Sequence, residues 1–390
     1  MVNKNTFCVA PWYSLNVGKA SKKITPCCKV KNIAKYDYNQ LEEYWISPEL
    51  SKLRKDLLNG IKNENCISCW RDEEAGGESL RLIENRHLKL SPDDAPMMEQ
   101  INNPKVSNIK TFELVLGNLC NLKCVMCSPN DSSQLLAEAN LNQELKKTYT
   151  DVKTYDQTQH NWPKEDDFVE WCNEHLPQAI HLNFTGGEPF IIPWIQTMID
   201  KIPDEQKKKC ILHFTTNLTI VNLGLFENFR KFKEVWLSVS VEGVGDTFEY
   251  LRYGHKWETL ETNIRLIREM KIKNLILMVN HVVQTPSYHS ILPMTDYFDS
   301  LKLKIAPILL TNPEHFHISS LTKKAKKDFL AKTDNYNGYN KPFIDFVRNK
   351  TKKYINHDFN LSKKVIRHLE YFDKVRKNSY KDIIPIDNLH

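Results

Sequence analysis

The chain has 390 residues, of which 41% are hydrophobic and 10% aromatic, and a formal net charge of +6. This composition is typical of a globular protein of roughly two to three domains and excludes an intrinsically disordered chain. The N-terminus shows no secretory signal, and the longest apolar runs are far too short for a membrane span. We therefore expect a cytoplasmic protein with no membrane partner.

The first 70 residues contain half of the ten cysteines of the chain: Cys8, Cys27, Cys28, Cys66 and Cys69. In a large chain from a reducing compartment, cysteines at short spacings indicate metal binding rather than disulfides. Between them, Ser47 and Pro48 are suited to the N-cap and first position of a helix. We assign residues 1–89 to a small cysteine-rich domain and the proline-containing residues 90–105 to a linker.

From residue 106 onward, β-rich runs alternate with amphipathic helical segments. The six expected strands are residues 112–116, 180–184, 211–215, 235–241, 275–283 and 304–309. Such alternation predicts an α/β fold with a parallel sheet, here a (β/α)6 partial TIM barrel over residues 106–320. Residues 321–390 are expected to form a helical extension, whose basic run at 323–327 we interpret as a solvated helix face. A surface for nucleic acid or an acidic partner is the alternative.

Three further cysteines, Cys120, Cys124 and Cys127, follow the first expected strand with the spacing C-x3-C-x2-C. Thiolates are the usual ligands of iron–sulfur clusters, and three of them leave one iron of a four-iron cluster without a protein ligand. An open position is what a catalytic metal site requires. The end of a barrel strand is also where such folds carry out their chemistry. A structural zinc site is the alternative interpretation.

Polar and glycine-rich segments also stand at the ends of the next three strands. Paired glycines permit close backbone approach to a ligand, a carboxylate accepts hydrogen bonds from an ammonium group, and a guanidinium binds a carboxylate in a bidentate manner. The residues concerned are Gly186, Gly187 and Glu188 after the second strand, Asn217 after the third, Ser238 and Ser240 in the fourth, and Arg252 after it.

The cysteine motif and these segments together resemble the radical SAM superfamily. The resemblance implies a [4Fe–4S] cluster on Cys120, Cys124 and Cys127 that binds S-adenosylmethionine and cleaves it reductively to a 5′-deoxyadenosyl radical. It assigns Gly186, Gly187 and Glu188 to the methionine amino group of this cofactor. Asn217 would lie near the ribose, Ser240, or alternatively Ser238, would contact the ribose or the carboxylate, and Arg252 would bind the carboxylate. The residue before the third cysteine is commonly aromatic in the family, and here it is Met126.

The N-terminal cysteine segment resembles the auxiliary cluster domain called SPASM, or its shorter form, twitch, which usually follows the barrel rather than preceding it. The resemblance implies a second [4Fe–4S] cluster. We favour Cys8, Cys28, Cys66 and Cys69 as its ligands, with Cys27 as the uncertain member. A four-cysteine structural zinc site is the competing interpretation.

The resemblance also implies that the reaction begins with hydrogen abstraction from a substrate carbon, and that an external donor such as a flavodoxin or ferredoxin supplies electrons. We favour peptide or protein modification by an oxidoreductase of the maturase type. The alternative is a dehydrogenase or epimerase of sugars or small alcohols. A non-catalytic, metal-stapled nucleic-acid-binding protein would leave Gly186, Gly187 and Arg252 unexplained. The long connection at residues 128–178 is a candidate lid.

Overall fold

The computed structural model describes residues 5–18, 22–33, 35–74, 78–91, 93–149, 152, 155–160, 162–164, 166–357 and 362–389. Its strands are β1 (Ser14–Gly18), β2 (Lys23–Thr25), β3 (Thr111–Val115), β4 (His181–Thr185), β5 (Ile211–Thr216), β6 (Glu234–Ser240), β7 (Leu275–Val283) and β8 (Lys304–Leu309). Its helices are α1 (Ala10–Tyr13), α2 (Leu41–Trp45), α3 (Pro48–Leu58), α4 (Ile67–Glu74), α5 (Leu80–Leu88), α6 (Ala95–Asn102), α7 (Ser133–Leu141), α8 (Gln143–Thr148), α9 (Asp166–His175), α10 (Trp194–Lys201), α11 (Asp204–Lys207), α12 (Leu223–Phe229), α13 (Gly245–Leu251), α14 (Trp257–Glu269), α15 (Ile291–Ser300), α16 (Lys323–Lys332), α17 (Lys341–Lys353) and α18 (Ser362–Arg376).

One sheet of eight strands organises the molecule, in the order β2-β1-β3-β4-β5-β6-β7-β8. All neighbouring strands run parallel except the β1–β2 pair, which is antiparallel. The expected α/β fold is therefore confirmed, and β3 to β8 are the six expected strands. A largely parallel sheet of this kind is compatible with a partial barrel. Because parallel strands share a direction, the carboxyl ends of β3, β4, β5 and β6 meet at one edge of the sheet.

The alternation of side chains along β4 and β5 separates an apolar from a more polar face of the sheet. On β4 and β5, Phe184 and Phe214 are fully buried and stack with ring centroids 5.0 Å apart. The alternating positions of the same strands carry His181, Asn183 and His213, which belong to the opposite face. The apolar face packs under the surrounding helices and forms the main core, whereas the polar face is available for a site.

The N-terminal segment contributes β1 and β2 to this sheet, two strands that the sequence did not reveal. Strand β1 lies beside β3 over its whole length, from Ser14 opposite Thr111 to Gly18 opposite Val115. Helix α3 begins as expected, because the Ser47 hydroxyl accepts a hydrogen bond from the Leu50 amide. The cysteine-rich segment is thus placed directly against the strand that precedes the C-x3-C-x2-C loop.

The segment at 90–105 contains helix α6 rather than irregular chain alone. Its Gln100 side chain is fully buried and donates hydrogen bonds to the carbonyl oxygens of Trp12 and Lys105 at 3.0 and 3.1 Å. The segment therefore packs on α1. The proposed domain boundaries at residues 89, 105 and 320 remain predictions.

The long connection between β3 and β4 contains helices α7, α8 and α9, and its residues 150, 151, 153, 154, 161 and 165 lie outside the described part of the chain. The region from residue 321 is helical as expected and consists mainly of α16, α17 and α18. Among the described residues, no helix combines the length and the apolar character that crossing a bilayer would require.

Candidate active site

The loop after β3 carries Cys120, Cys124 and Cys127, and the start of α7 fixes its shape. The Ser132 hydroxyl caps α7 at the Leu135 amide and also donates a hydrogen bond to the carbonyl oxygen of Leu122. The neighbouring Ser133 hydroxyl donates to the Cys120 carbonyl oxygen at 3.1 Å and accepts from the Cys120 amide at 3.2 Å. Two serines of one helix terminus therefore hold the first turn of the cysteine loop.

The three thiols of this loop are largely removed from solvent. Cys120 and Cys124 are buried and Cys127 is half-buried. Burial raises the pKa of the Cys120 thiol to about 12 and also raises the pKa of Cys124 and of Cys127. Metal binding requires thiolates and releases their protons. Three buried soft donors on one short loop fit a cluster with one iron left open.

Gly186 and Gly187 let the end of β4 approach the cysteine loop closely. Gly187 has φ +49°, and a Cβ there would lie 2.1 Å from the Leu119 carbonyl oxygen. The Glu188 amide donates a hydrogen bond to that same oxygen at 2.7 Å. A Cβ on Gly186, which has φ +83°, would lie 2.9 Å from the Gly117 carbonyl oxygen. The absence of side chains at Gly186 and Gly187 thus allows this turn to pack directly on the cysteine loop.

Glu188 is buried and joins the ends of β4 and β5. Its carboxylate accepts hydrogen bonds from the Thr216 hydroxyl and the Asn217 amide, both at 2.6 Å, and from the Phe190 amide at 3.1 Å. Burial raises the pKa of Glu188, and these donors oppose the shift. The Asn217 side chain lies 3.9 Å from the Cys120 sulfur. The structure therefore brings Glu188 and Asn217 to the first cysteine, as their assignment to one site requires.

Arg252 reaches the second cysteine and is paired with a carboxylate that the sequence reading did not single out. Its guanidinium forms a bidentate ion pair with Glu242, which is fully buried, and one nitrogen lies 3.9 Å from the Cys124 sulfur. The positive charge of Arg252 lowers the pKa of Cys124 against the effect of burial. The sequence signal available for this pair was a glutamate just after β6, in Ser240-Val241-Glu242-Gly243, ten residues before an arginine.

Ser238 and Ser240 occupy different environments on β6. Ser238 is buried, and its hydroxyl lies 2.8 Å from Nε2 of His213 on β5. Ser240 ends the strand, is half-buried, and lies opposite Asn280 of β7. Ser240 is therefore the serine nearer to the edge of the sheet where the cysteine loop begins.

A cavity of about 650 Å³ opens beside the cysteine loop. One part of its wall contains Cys124, Met126, Cys127 and Arg252. Another part is built by residues that the sequence analysis did not select, namely Tyr149, His315, Lys364 and His368. These four belong to no motif, and three of them lie beyond β8, so only the folded structure brings them to the site.

The N-terminal cysteines form a second group. Cys8 interacts electrostatically with Cys27, Cys66 and Cys69, and burial raises the pKa of all four thiols. Cys28 is directed differently, because its thiol hydrogen-bonds to the Glu113 carboxyl group on β3. The structure therefore groups Cys27, rather than the favoured Cys28, with the other three. In the described part of the chain, no three His, Cys, Asp or Glu side chains are placed to ligate a single metal ion.

One family model matches the part of the chain that carries the cysteine loop. Residues 114–290 match the model of the Radical SAM superfamily. No curated protein matches the chain. Among solved structures, anSMEcpe with bound AdoMet is similar, with 16% identity and a TM-score of 0.38 over 56% of this chain and 57% of that one. Streptococcus suis SuiB bound to S-adenosylmethionine has 15% identity and a TM-score of 0.36 over 75% of this chain and 65% of that one.

Proposed function

We propose that this protein, whose residues 114–290 match the model of the Radical SAM superfamily, is an enzyme that binds a [4Fe–4S] cluster through Cys120, Cys124 and Cys127. When bound, the cluster and S-adenosylmethionine supply a 5′-deoxyadenosyl radical that abstracts hydrogen from a substrate carbon. The observation that carries the proposal is three cysteines on one loop, two of them buried and one half-buried, of which Cys124 and Cys127 border a cavity of about 650 Å³.

The surrounding residues hold the thiols in place and are proposed to bind the cofactor. Glu188 and Asn217 connect the ends of β4 and β5 to the Cys120 side of the loop. Arg252, fixed by Glu242, places a permanent positive charge beside Cys124, where it stabilises thiolates. By resemblance, Gly186, Gly187 and Glu188 would receive the amino group of S-adenosylmethionine, Arg252 its carboxylate, Asn217 its ribose, and Ser240 or Ser238 its ribose or carboxylate.

We further propose that the N-terminal cysteines hold a second [4Fe–4S] cluster, as in SPASM or twitch domains. The electrostatic interactions of Cys8 with Cys27, Cys66 and Cys69 support this ligand set, and the hydrogen bond of Cys28 to Glu113 argues against Cys28 as a ligand. Four thiolates would saturate that cluster, so its role would be electron transfer rather than cofactor binding. An external flavodoxin or ferredoxin would supply electrons to the enzyme.

The proposed reaction class is peptide or protein modification, by an oxidoreductase of the maturase type. This choice depends on the resemblance of the N-terminal segment to an auxiliary domain common in such enzymes. A sugar or alcohol dehydrogenase or epimerase with the same radical chemistry is the alternative substrate assignment.

The central test is anaerobic incubation of the iron- and sulfide-loaded protein with S-adenosylmethionine and dithionite, analysed for 5′-deoxyadenosine. We expect the wild-type protein to form this nucleoside and a Cys120/Cys124/Cys127 triple alanine variant to form none. Cys172→Ala is the matched control, since Cys172 is buried on α9 and belongs to neither cysteine group. Full iron loading of the triple variant at the first site, with cleavage intact, would refute the proposal.

Two serine substitutions test the second ligand set. Cys27→Ser should remove about four irons per chain, because a four-iron cluster that loses a ligand is labile. Cys28→Ser, at the neighbouring position, should leave the iron content unchanged. Iron and sulfide analysis after anaerobic reconstitution measures both, and loss of iron in Cys28→Ser alone would restore the ligand set favoured from the sequence.

A further inference from the structure

We propose that Tyr149 and the His315–His368 pair form the subsite of the cavity that binds a neutral, hydrogen-bonding group of the substrate, an amide or a hydroxyl. The inference deepens the proposed function and rests on it, because the cavity is the one beside the cysteine loop. Lys364 and His368 come from α18, and His315 from the segment after β8, so the helical extension would take part in substrate binding.

Two residues that line this cavity each carry a buried polar atom without a partner among the described residues. Neither the Tyr149 hydroxyl nor Nε2 of His368 has a hydrogen-bond partner among the described residues. The two residues are 7% and 3% exposed, and their rings meet edge to face with centroids 5.7 Å apart. A buried polar group without a partner costs about 1–3 kcal/mol. Two such atoms beside one cavity indicate a ligand with polar atoms of its own.

His315 and His368 form a hydrogen-bonded pair of rings in the lining of the cavity. Nε2 of His315 lies 3.0 Å from Nδ1 of His368, so one neutral ring donates to the other. Burial lowers the pKa of His315 to about 4 and that of His368 to about 3, which keeps both rings uncharged near pH 7. The pair can therefore both donate and accept through its remaining nitrogens.

Helix α18 is held in place by contacts to the cysteine loop itself. At its C-terminal end, the buried Arg376 side chain donates to the Lys123 carbonyl oxygen at 2.7 Å and to the Glu138 carboxylate at 2.8 Å. Lys123 lies between the first two cysteines of the motif. The wall that carries His368 is consequently tied to the same loop as the thiols, as a substrate subsite requires.

The charges around the cavity favour a neutral ligand group. The cavity is lined by Lys364, Glu314 and Asp131, and Arg252 is ion-paired with Glu242, so the wall carries no excess of positive charge. The two unpartnered atoms are themselves uncharged at neutral pH. A carboxylate would accept hydrogen bonds there but would lose hydration beside Glu314 and Asp131, which repel it, as well as beside Lys364. An amide or hydroxyl group both donates and accepts, which matches a phenol and an imidazole.

Adenine also presents a neutral donor–acceptor edge, so the cofactor is the other possible source of this chemistry. The match to the Radical SAM superfamily covers residues 114–290, whereas His315, Lys364 and His368 lie outside it. S-adenosylmethionine is what members of the superfamily share, and the substrate is what distinguishes them. Residues supplied from outside the shared domain are therefore assigned to the substrate.

The test uses three small deuterated probes of one carbon skeleton: propionamide, 1-propanol and propionate. The loaded enzyme is incubated with S-adenosylmethionine, dithionite and one probe, and the fraction of 5′-deoxyadenosine that carries deuterium is measured by mass spectrometry. A C–D bond of the probe breaks as a C–D bond forms at the 5′ carbon. This labelled fraction is a ratio and does not depend on how fast the nucleoside forms.

We expect labelling by propionamide or 1-propanol to exceed labelling by propionate at least fivefold. His315→Leu should reduce the labelled fraction at least fivefold, and His315→Gln, which keeps a polar atom near Nε2, should restore part of it. Because His315 is half-buried, these variants disturb the fold less than changes at His368. Lys363→Ala, on an exposed neighbour of Lys364, is the control and should label as the wild type does.

The outcomes distinguish a failure of the proposed function from a failure of the proposed subsite. Absence of all 5′-deoxyadenosine would overturn the proposed function itself. Nucleoside formation with equal labelling in His315→Leu would overturn the subsite alone, as would preferential labelling by propionate.

Equilibrium binding of S-adenosylmethionine provides a readout without turnover. A tenfold loss of its affinity in His315→Leu, with labelling unchanged, would assign the pair to adenine. A stronger signal from propionamide would favour a peptide substrate, and one from 1-propanol a small alcohol.

Discussion

Gly187 and Gly245 have nearly the same backbone conformation but very different surroundings. Their φ angles are +49° and +53°, in the left-handed region that disfavours other residues. A Cβ on Gly187 would lie 2.1 Å from the Leu119 carbonyl oxygen, whereas a Cβ on Gly245 would meet no atom within 4 Å. An alanine at Gly245 therefore reports only the free-energy cost of the backbone conformation, whereas an alanine at Gly187 adds the cost of displacing the cysteine loop.

We expect Gly245→Ala to lower the free energy of unfolding by about 1–2 kcal/mol and to leave iron binding intact. Gly187→Ala should cost more and should reduce the iron bound at Cys120, Cys124 and Cys127, because the Leu119 backbone has to move. Urea unfolding and iron analysis of the two variants check this. Equal iron content in both would show that the loop tolerates the displacement.

The sequence located these residues but not their partners. The motif resemblance selected Gly186, Gly187, Glu188 and Arg252, since the residue types and their spacing after strands are visible in one dimension. It did not reveal that Glu242 pairs with Arg252, nor that the glycines pack on the cysteine loop. The glycine contacts join segments far apart in the chain, and the Glu242–Arg252 pair depends on how the short segment between them folds, whereas periodicity and spacing report only local order.

At the scale of elements, helix α18 is coupled to α7 through one buried ion pair and to the cysteine loop through a hydrogen bond to the Lys123 carbonyl oxygen. Arg376 and Glu138 have side-chain exposures of 1% and 6%, and Arg376 also stacks on the rings of Phe372 and Tyr253. A second ion pair of the same helix, Lys374 with Glu144, is exposed. Buried and exposed pairs on one helix are expected to differ strongly in their contribution to stability.

Arg376→Gln should lower the free energy of unfolding by about 3 kcal/mol, because the buried Glu138 carboxylate loses its buried cation and keeps the more exposed Lys123 as an ion-pair partner. Lys374→Gln is the matched control and should cost at most about 1 kcal/mol. Equilibrium urea unfolding measures both. Similar small losses in the two variants would mean that α18 is not anchored by this pair.

The six strands from β3 to β8 could be predicted because each is a β-rich run bounded by turn residues and separated by amphipathic helices. Strands β1 and β2 have only five and three residues and lie among cysteines and loops. Short strands are defined mainly by their partners, and the partner of β1 is β3, which follows almost a hundred residues later. Their place in the sheet therefore depends on tertiary pairing that no local pattern encodes.

For the molecule as a whole, buried histidines predict sensitivity to mild acid. Burial lowers the pKa to about 3 or 4 for a set of six: His181, His213, His255, His289, His315 and His368. Below the unfolded value near 6.5, the unfolded chain binds protons that the folded chain does not, so stability falls as the pH falls from about 6.5 to 4. Glu84, with its pKa raised to about 7, acts in the opposite direction.

Each such histidine contributes up to about 1.4 kcal/mol per pH unit in that interval. His255 is a suitable probe, because both of its ring nitrogens are buried without a partner among the described residues and its ring packs on Phe248. His255→Phe should reduce the slope of unfolding free energy against pH by about one proton equivalent. Urea titrations at pH 5, 6 and 7 measure the slope, and an unchanged slope would contradict the prediction.

Because the sheet is continuous across residue 105, it predicts which fragments of the chain are soluble on their own. Strand β1 pairs with β3 at five successive positions, and removal of residues 1–105 would expose the backbone of β3 together with Phe112 and Leu114, which are now fully buried. A bare apolar edge strand promotes aggregation. We therefore expect a fragment of residues 106–390 to be insoluble when expressed alone and to be recovered as a soluble complex when co-expressed with residues 1–105. Solubility and co-purification measure this. A fragment that is soluble alone, with cooperative unfolding, would instead establish residue 105 as an independent domain boundary, since a domain with its own core folds without its neighbour.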